Sequence, residues 1–418
     1  MKIGAKYYLR GDKVIWIVII ILSFISLIEV YSSIGKFAYD KEANTIFLFL
    51  KHLCVICCTY IATITISRID YHYFARLSQW GYYIAVIALI ATFVTYMSFG
   101  SNKGAGRWLE IPIIGNFQPS EIAKFILVVY TARMIAKAKD SIKELETFKN
   151  LMIPIIIIPA LIFPQNFSTA GILFVTCFTM LFLGNVNSKY WFRVAGIGLL
   201  AVAIAFCIVI KKADNINKAE NSQEETTEIN NARIDAFRSD TWMQRIIDWR
   251  ADDKEVNTQI NTARKAIATG SLTGVMPGNT IQGRLLSESH NDFIYAIIIE
   301  ELGFIGGISI LFLYSVLFFR CIVIARNCNS TFRSLTVSGL GLLIYLQALI
   351  NMGVAVGYLP VTGQTLPFIS YGGTSYLFTG CAIGVIQSIC ESFKIEKRAL
   401  ELAEKNNNEV INNKTINE

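Results

Sequence analysis

The stretch VIWIVIIILSFISLIEV, residues 14–30, decides the fold class. Crossing a hydrocarbon core of about 30 Å takes about 20 apolar residues as a helix, and this run with its flanks, 14–34, is long enough. It is too long for the apolar region of a signal peptide and has no small-residue cleavage site, so it reads as a retained anchor. Working outward, similar runs recur near 45–66 and 81–99, the latter containing YYIAVIALIATFVTYM. A fourth, near 120–137, carries Glu121, Lys124 and Arg133. The tract 150–185 is broken by FPQNFST and reads as two spans joined by a tight turn at Pro164 and Asn166. Further spans fall near 190–210, 293–320, 334–356 and 370–391. The expectation is an all-α polytopic membrane protein of about ten transmembrane helices.

Composition agrees. Charged residues make up 17% of the 418-residue chain and hydrophobic ones 53%, against roughly 25% charged in soluble domains, and the mean hydropathy is +0.47. With the N-terminus cytoplasmic, the connections on that side hold 21 lysines and arginines and the short outer loops hold 4. Both termini are therefore placed inside. The same asymmetry accounts for the net charge of +7, so the basic balance does not point to nucleic acid. The nine cysteines fall mostly in or beside apolar runs, as in CVICC (54–58), and read as packing residues rather than disulfide or zinc ligands.

One large hydrophilic segment, 211–292, joins the seventh and eighth spans and is placed outside the cytoplasm. Its first half is polar and predicted to be mobile. Its second half, from WMQRIIDW (242–249) through NTQINTARKAIATGSLTGVMPGNTIQGRLL (257–286), mixes apolar residues at helical spacing with Gly, Asn and Arg and should pack on the outer end of the bundle. Residues 1–392 thus form a single membrane domain. The tail, 393–418, is charged and then asparagine-rich, and is predicted to be largely disordered after a brief helix.

Three constellations carry chemistry. GSNKGAGRWLEIPIIGNFQPSEIAKF (100–125) places Lys103, Arg107, Trp108 and Gln118 at the outer surface, with Glu121 and Lys124 just inside the fourth span. The last two share a helix face and read either as a bundle-holding ion pair or as a polar group facing a cavity. SESHNDFIYAIIIEELG (287–303) brings Asp292 to the outer end of the eighth span. There Asn291 or Asp292 could cap the helix, while Glu300 lies about 12 Å deeper within about 80° of the same direction and could continue a polar lining; Glu301 points away. VAVGYLPVTGQTLPFISYGGTS (354–375) breaks helicity at Pro360, Gly363, Pro367, Gly372 and Gly373. Irregular backbone at membrane depth survives only where protein buries it or it lines a cavity, so this loop should fold back near the other two.

Together GAGRWL, FQPSEIAKF, PGNTIQ, SHNDFIYAIIIEELG and LPVTGQTLPFISYGGTS resemble, in order, the motifs of the shape, elongation, division and sporulation (SEDS) family of bacteria, whose main branches are FtsW and RodA. The likeness covers about 14–392. It implies a peptidoglycan glycosyltransferase in the cytoplasmic membrane that polymerises lipid II on the outer face, working with a class B penicillin-binding protein and other division or elongation proteins. The aspartate tied to catalysis in the family falls on Asp292. Two departures stand out: QNFST replaces an acidic residue of the fifth-to-sixth turn with Asn166, and Gln259 is followed by Thr262 where a second glutamine is common. PGN and TLPF lean toward the division branch, while LPVTG also occurs in RodA-type proteins.

The implied chemistry suits the residues. A carboxylate such as Asp292 can accept the proton of an attacking sugar hydroxyl or hold a divalent cation, magnesium or manganese. A leaving diphosphate needs positive charge, for which Lys103, Arg107, Lys124 and Arg284 are candidates, with Arg245 a weaker one. Trp108 is placed to pack on a sugar or the polyprenyl chain, or simply to sit at the lipid interface. A lipid II flippase is the competing class, and a scaffold without activity is a third.

Overall fold

The computed structural model describes residues 10–35, 44–99, 109–111, 115–198, 200, 258–286 and 291–416. The elements run α1 (Lys13–Ser33), α2 (Thr45–Ser67), α3 (Tyr71–Phe99), β1 (Leu109–Ile111), β2 (Gly115–Phe117), α4 (Pro119–Lys137), α5 (Leu145–Ile162), α6 (Phe167–Leu183), α7 (Thr258–Gly270), a 3-10 turn at Gln282–Arg284, α8 (Ile294–Asn327), α9 (Thr331–Ala355) and α10 (Gly373–Ile416). Helical backbone also begins at 188, but most of the expected seventh span, and the polar half of the outer segment, lie outside the described residues.

Among the described residues, seven helices are long and apolar enough to cross a bilayer: α1, α2, α3, α5, α8, α9 and α10. The quoted stretch shows why. In α1, Ile15, Ile19 and Leu22 are buried while Ile17 and Phe24 are more than half exposed, so a helix apolar all round turns one side to the bundle and the other to lipid. The expected fourth and sixth spans are also helices. α4 is enclosed on most sides, which is how its charges are accommodated, and α6 is 17 residues long. The protein is an integral membrane protein of helical-bundle architecture.

Close packing is set by small residues. α10 lies along α2, where a Cβ on Gly380 would come within 2.2 Å of the Thr59 side chain and one on Gly384 within 2.8 Å of Ile66. Thr63 Oγ1 donates to the Gly380 carbonyl at 3.0 Å. Glycines four apart let two backbones approach, the usual basis of helix association where lipid removes the hydrophobic drive.

Four features depart from the sequence expectations. β1 and β2 form a short antiparallel ladder, Leu109 opposite Phe117 and Ile111 opposite Gly115, so the fold is not wholly helical. α3 begins ten residues before the expected span, because Asp70 closes the preceding turn by accepting from the His72 amide at 2.9 Å and no breaker follows. α10 runs on through Ile416 in place of the expected disorder: EKRALELAEK is built of strong helix formers, and its root is held by a bidentate pair, Arg333 to Glu396, both bonds 2.9 Å. The fourth is a break in α8.

That break lies at Gly303, which has φ 73° and ψ −177°. In an unbroken helix the amides of Phe304 and Ile305 would bond the carbonyls of Glu300 and Glu301. Instead, those carbonyls accept from Val275 and Met276, both at 2.9 Å, and the two amides donate to Ser271 at 3.0 Å and Leu272 at 3.4 Å. The segment after α7 thus inserts beside the broken helix and satisfies the four groups that the break frees.

The end of the bundle remote from this break is tied by charge. Asp12 caps α1, accepting from Val14 at 2.9 Å and Ile15 at 3.1 Å, and also accepts from Arg320 of α8. Gln387 of α10 clasps the Asp12 backbone in both directions. Burial pushes the Asp12 carboxyl up, but Arg320 and the two amides outweigh it and hold the pKa below the ordinary value. The stabilisation is therefore complete above the unfolded pKa of about 3.9 and is lost as pH falls through the lower folded value. Asp12→Asn is expected to lower the thermal midpoint in detergent by about 2 °C at pH 7 and to flatten the acid loss of stability, as a pH series of melting curves would show.

Candidate active site

The non-helical loop between α9 and α10, residues 356–372, folds back into the bundle as expected, and its polar backbone is met by side chains from surrounding helices. From α9, Gln347 Nε2 donates to the Thr365 carbonyl at 3.1 Å and Asn351 Nδ2 to the Gln364 carbonyl at 2.7 Å. Ser26 of α1 donates to the Ile369 carbonyl at 2.7 Å, and Tyr314 of α8 to that of Pro367. The Gln364 side chain donates to Thr169 Oγ1 at 2.6 Å and Asn166 Oδ1 at 3.2 Å. Asn166 also caps α6 through the Thr169 amide at 3.2 Å, so its neutral amide oxygen has a structural role at the turn.

This loop and α9 together hold the chain at Asp292. Asn351 Nδ2 donates to the Asp292 carbonyl at 3.1 Å, and Ser370 Oγ to the Asn291 carbonyl at 2.8 Å. The cap position of α8 is Phe293, so neither Asn291 nor Asp292 occupies it. Both are partly exposed, whereas residues 293–301 are buried. Asp292 therefore lies where the chain enters the enclosed helix, its carbonyl held by Asn351.

Glu121 and Lys124 are brought to the same loop. Lys124 Nζ lies 2.9 Å from one Glu121 oxygen and 3.0 Å from the other, and it donates to Gln347 Oε1 at 2.9 Å. Lys124 is 1% exposed and Glu121 6%, so the pair is enclosed and its charges neutralise one another. Lys124→Ala would leave Glu121 buried without its cation, costing about 3–5 kcal/mol. The expected outcome is a large fall in thermal midpoint for Lys124→Ala, partly recovered in the double variant Lys124→Met with Glu121→Gln, measured on purified protein in detergent.

The remaining sequence candidates separate. Gln118 precedes α4 and donates to Ser120 Oγ at 3.0 Å. Arg284 is exposed on the 3-10 turn. Glu300 is fully buried and does not face an open lining: its oxygens accept from the Ile281 and Gln282 amides, both at 3.0 Å, and from Thr280 Oγ1 at 2.5 Å. Glu301 points away, as expected, bonding Ser32 of α1 and the Gly278 amide. Lys103, Arg107, Trp108 and His290 lie outside the described residues, as does Arg245. Among the described residues no group of three or more His, Cys, Asp and Glu could hold a metal.

Sequence reasoning missed Gln347, Asn351 and Gln364, which join the three constellations. The signal was available: Gln347 and Asn351 are polar residues four apart in an otherwise apolar span and so share one helix face.

Comparison with known proteins bears on the family and the fold. A family model described as cell cycle protein, covering FtsW, RodA and SpoVE, matches residues 12–395. A protein of Geobacter sp. (strain M18) named "probable peptidoglycan glycosyltransferase FtsW" is 28% identical over 90% of this chain and 96% of its own. One of the same name from Coxiella burnetii is 29% identical over 90% and 95%. Among solved structures, a chain from "Structural coordination of polymerization and crosslinking by a peptidoglycan synthase complex" shares the fold with TM-score 0.68 at 20% identity, covering 92% of this chain and 99% of its own. The rod shape determining protein RodA of Thermus thermophilus does so with TM-score 0.61 at 18% identity, covering 92% and 97%. The family model covers nearly the whole chain, and the chain belongs to the FtsW, RodA and SpoVE family of cell cycle proteins.

Proposed function

We propose that this protein is a peptidoglycan glycosyltransferase that polymerises lipid II at the outer face of the bacterial cytoplasmic membrane, in cell division, with both termini inside. The observation that supports this reading is the position of Asp292, partly exposed just before the buried start of α8, with its carbonyl held by Asn351 of α9 and that of Asn291 by Ser370 of the motif-bearing loop. In the transfer step a sugar hydroxyl of one lipid-linked unit attacks the anomeric carbon of another. A new C–O bond forms, the proton passes to Asp292, and the bond to the lipid diphosphate breaks with its electron pair leaving on the diphosphate. Arg284, with Lys103 and Arg107, is the positive charge proposed for that leaving group. A divalent cation held at Asp292 would supply further charge neutralisation. Lys124, paired in the interior, supports the loop instead. Gln118 and Trp108 remain proposed substrate contacts at the rim.

The flippase reading is disfavoured by the far end of the bundle. A transporter path must open alternately to both faces, and here Asp12 to Arg320, Gln387 to Asp12 and Arg333 to Glu396 bridge α1, α8, α9 and α10 at that end. Partners accord with the reading: a class B penicillin-binding protein to cross-link the glycan, and other division proteins.

The test is incubation of labelled lipid II with the purified protein and its cognate class B penicillin-binding protein. Glycan chains from the wild type support the polymerase. Lipid movement across liposome membranes with no polymer would transfer the assignment to a flippase.

A further inference from the structure

We propose that Glu300 is a positioning residue for Asp292: its buried carboxylate folds the 280–284 turn onto the outer half of α8 and so fixes the upstream end of the short segment that delivers Asp292. The inference rests on the polymerase reading and deepens it.

The geometry is specific. One Glu300 oxygen accepts from two consecutive amides, Ile281 and Gln282, each at 3.0 Å, and the other accepts from the Thr280 hydroxyl. That hydroxyl in turn accepts from the Gly283 amide at 2.8 Å. One carboxylate thereby closes the turn that ends in Arg284. Charge-assisted bonds of this kind are about twice as strong as neutral ones. The side chain is fully buried and its lone pairs are spent on the turn, which leaves it no face for a sugar or a phosphate.

The turn matters because it lies close in the chain to Asp292. Only six residues, 285–290, separate Arg284 from Asn291. The downstream end is pinned by Ser370 and Asn351 to the Asn291 and Asp292 carbonyls. The upstream end is pinned by Glu300, and the helix that carries Glu300 begins two residues after Asp292. Chain connectivity across those six residues therefore ties the Glu300-held turn to Asp292. Glu301 adds a second tether to the same arm: it accepts from the Gly278 amide at 3.2 Å and from Ser32 of α1. The adjacent carboxylates thus grip the outer arm from two sides, and the helix break at Gly303 confines the gripped unit to the outer half of α8.

Releasing the turn lets the carboxylate of Asp292 sample wrong positions, and a misplacement of about 1 Å can cost up to a hundredfold in rate. The variants are compared at equal folded amounts with the wild type as reference. Glu300→Ala is expected to lower kcat for glycan-chain formation by at least about tenfold, with KM for lipid II within about twofold. Glu300→Gln keeps the acceptor oxygen for both amides and should recover kcat to within about threefold of wild type. In amide hydrogen exchange, residues 281–282 should exchange faster in Glu300→Ala and at the wild-type rate in Glu300→Gln. Should Glu300→Ala not fold, Thr280→Val carries the test, because it removes the hydroxyl's bonds to Glu300 and from the Gly283 amide and leaves the two amides on Glu300; a fall in kcat at constant KM is expected.

Three results would overturn the proposal: full activity in Glu300→Ala or Thr280→Val, a Gln variant as inactive as the Ala variant, or unchanged exchange at 281–282. The second would mean that the charge of Glu300 acts in the chemistry itself. A wild type that makes no polymer would instead sink the polymerase reading, and the exchange arm would still decide whether Glu300 holds the turn.

Discussion

Glycan-chain formation from labelled lipid II is expected to fall by at least about a hundredfold in Asp292→Asn, compared with the wild type at equal folded amounts. The magnitude reflects proton transfer. A positioned general base contributes about 10²–10⁴ to rate, and an asparagine of the same shape cannot take the proton. The backbone hold is separate from that chemistry: Asn351 and Ser370 bond the carbonyls of Asp292 and Asn291, groups that a side-chain substitution at 292 does not remove. Asp292→Ala should behave alike. Activity retained in Asp292→Asn would remove the carboxylate from the reaction and leave Asp292 as a structural hinge only.

Gly303→Ala is expected to yield little folded protein. Its φ and ψ fall in a region that essentially only glycine occupies, at about 1–3 kcal/mol for any other residue. A Cβ there would lie 2.3 Å from the Leu272 carbonyl oxygen, which is itself the acceptor for Ile305. The clash cannot be relieved by turning a side chain, and moving the backbone parts the four exchanged bonds, each worth about 1 kcal/mol net. Gly274→Ala meets the same fate, with φ +80° and a Cβ 2.1 Å from the Glu301 carbonyl oxygen. Gly171→Ala, in α6 with open space at its Cβ, is the control and should express as wild type. Detergent-extracted yield and size-exclusion profiles of the three variants decide the matter.

The sequence made the spans legible because a bilayer demands about 20 apolar residues and leaves few alternatives. It also made Asp292, the Glu121 and Lys124 pair, and the inward fold of the 356–372 loop legible, since charge and broken backbone at membrane depth need company. The break in α8 was hidden. EELGFIGG reads as ordinary helix with tolerated glycines, and only the distant segment 271–276, which supplies the exchanged hydrogen bonds, reveals that Gly303 leaves the helix. Glu300 was misjudged for the same reason. Helical geometry gave Glu300 a direction, but the direction alone did not show that a loop from about twenty residues earlier already occupied the space. The β1 and β2 ladder was likewise illegible, since three-residue strands carry too little pattern.

The long final helix has a mechanical meaning. α10 spans 44 residues, about 66 Å, roughly twice the thickness of a hydrocarbon core, and residues 395–405 are exposed. It is a cantilever whose root is Glu396, gripped by Arg333 of α9. α9 is one uninterrupted helix from there to Asn351, which holds the Asp292 carbonyl. A load on the cantilever would therefore pass along a stiff pushrod about 27 Å long from Arg333 to Asn351 and the Asp292 carbonyl.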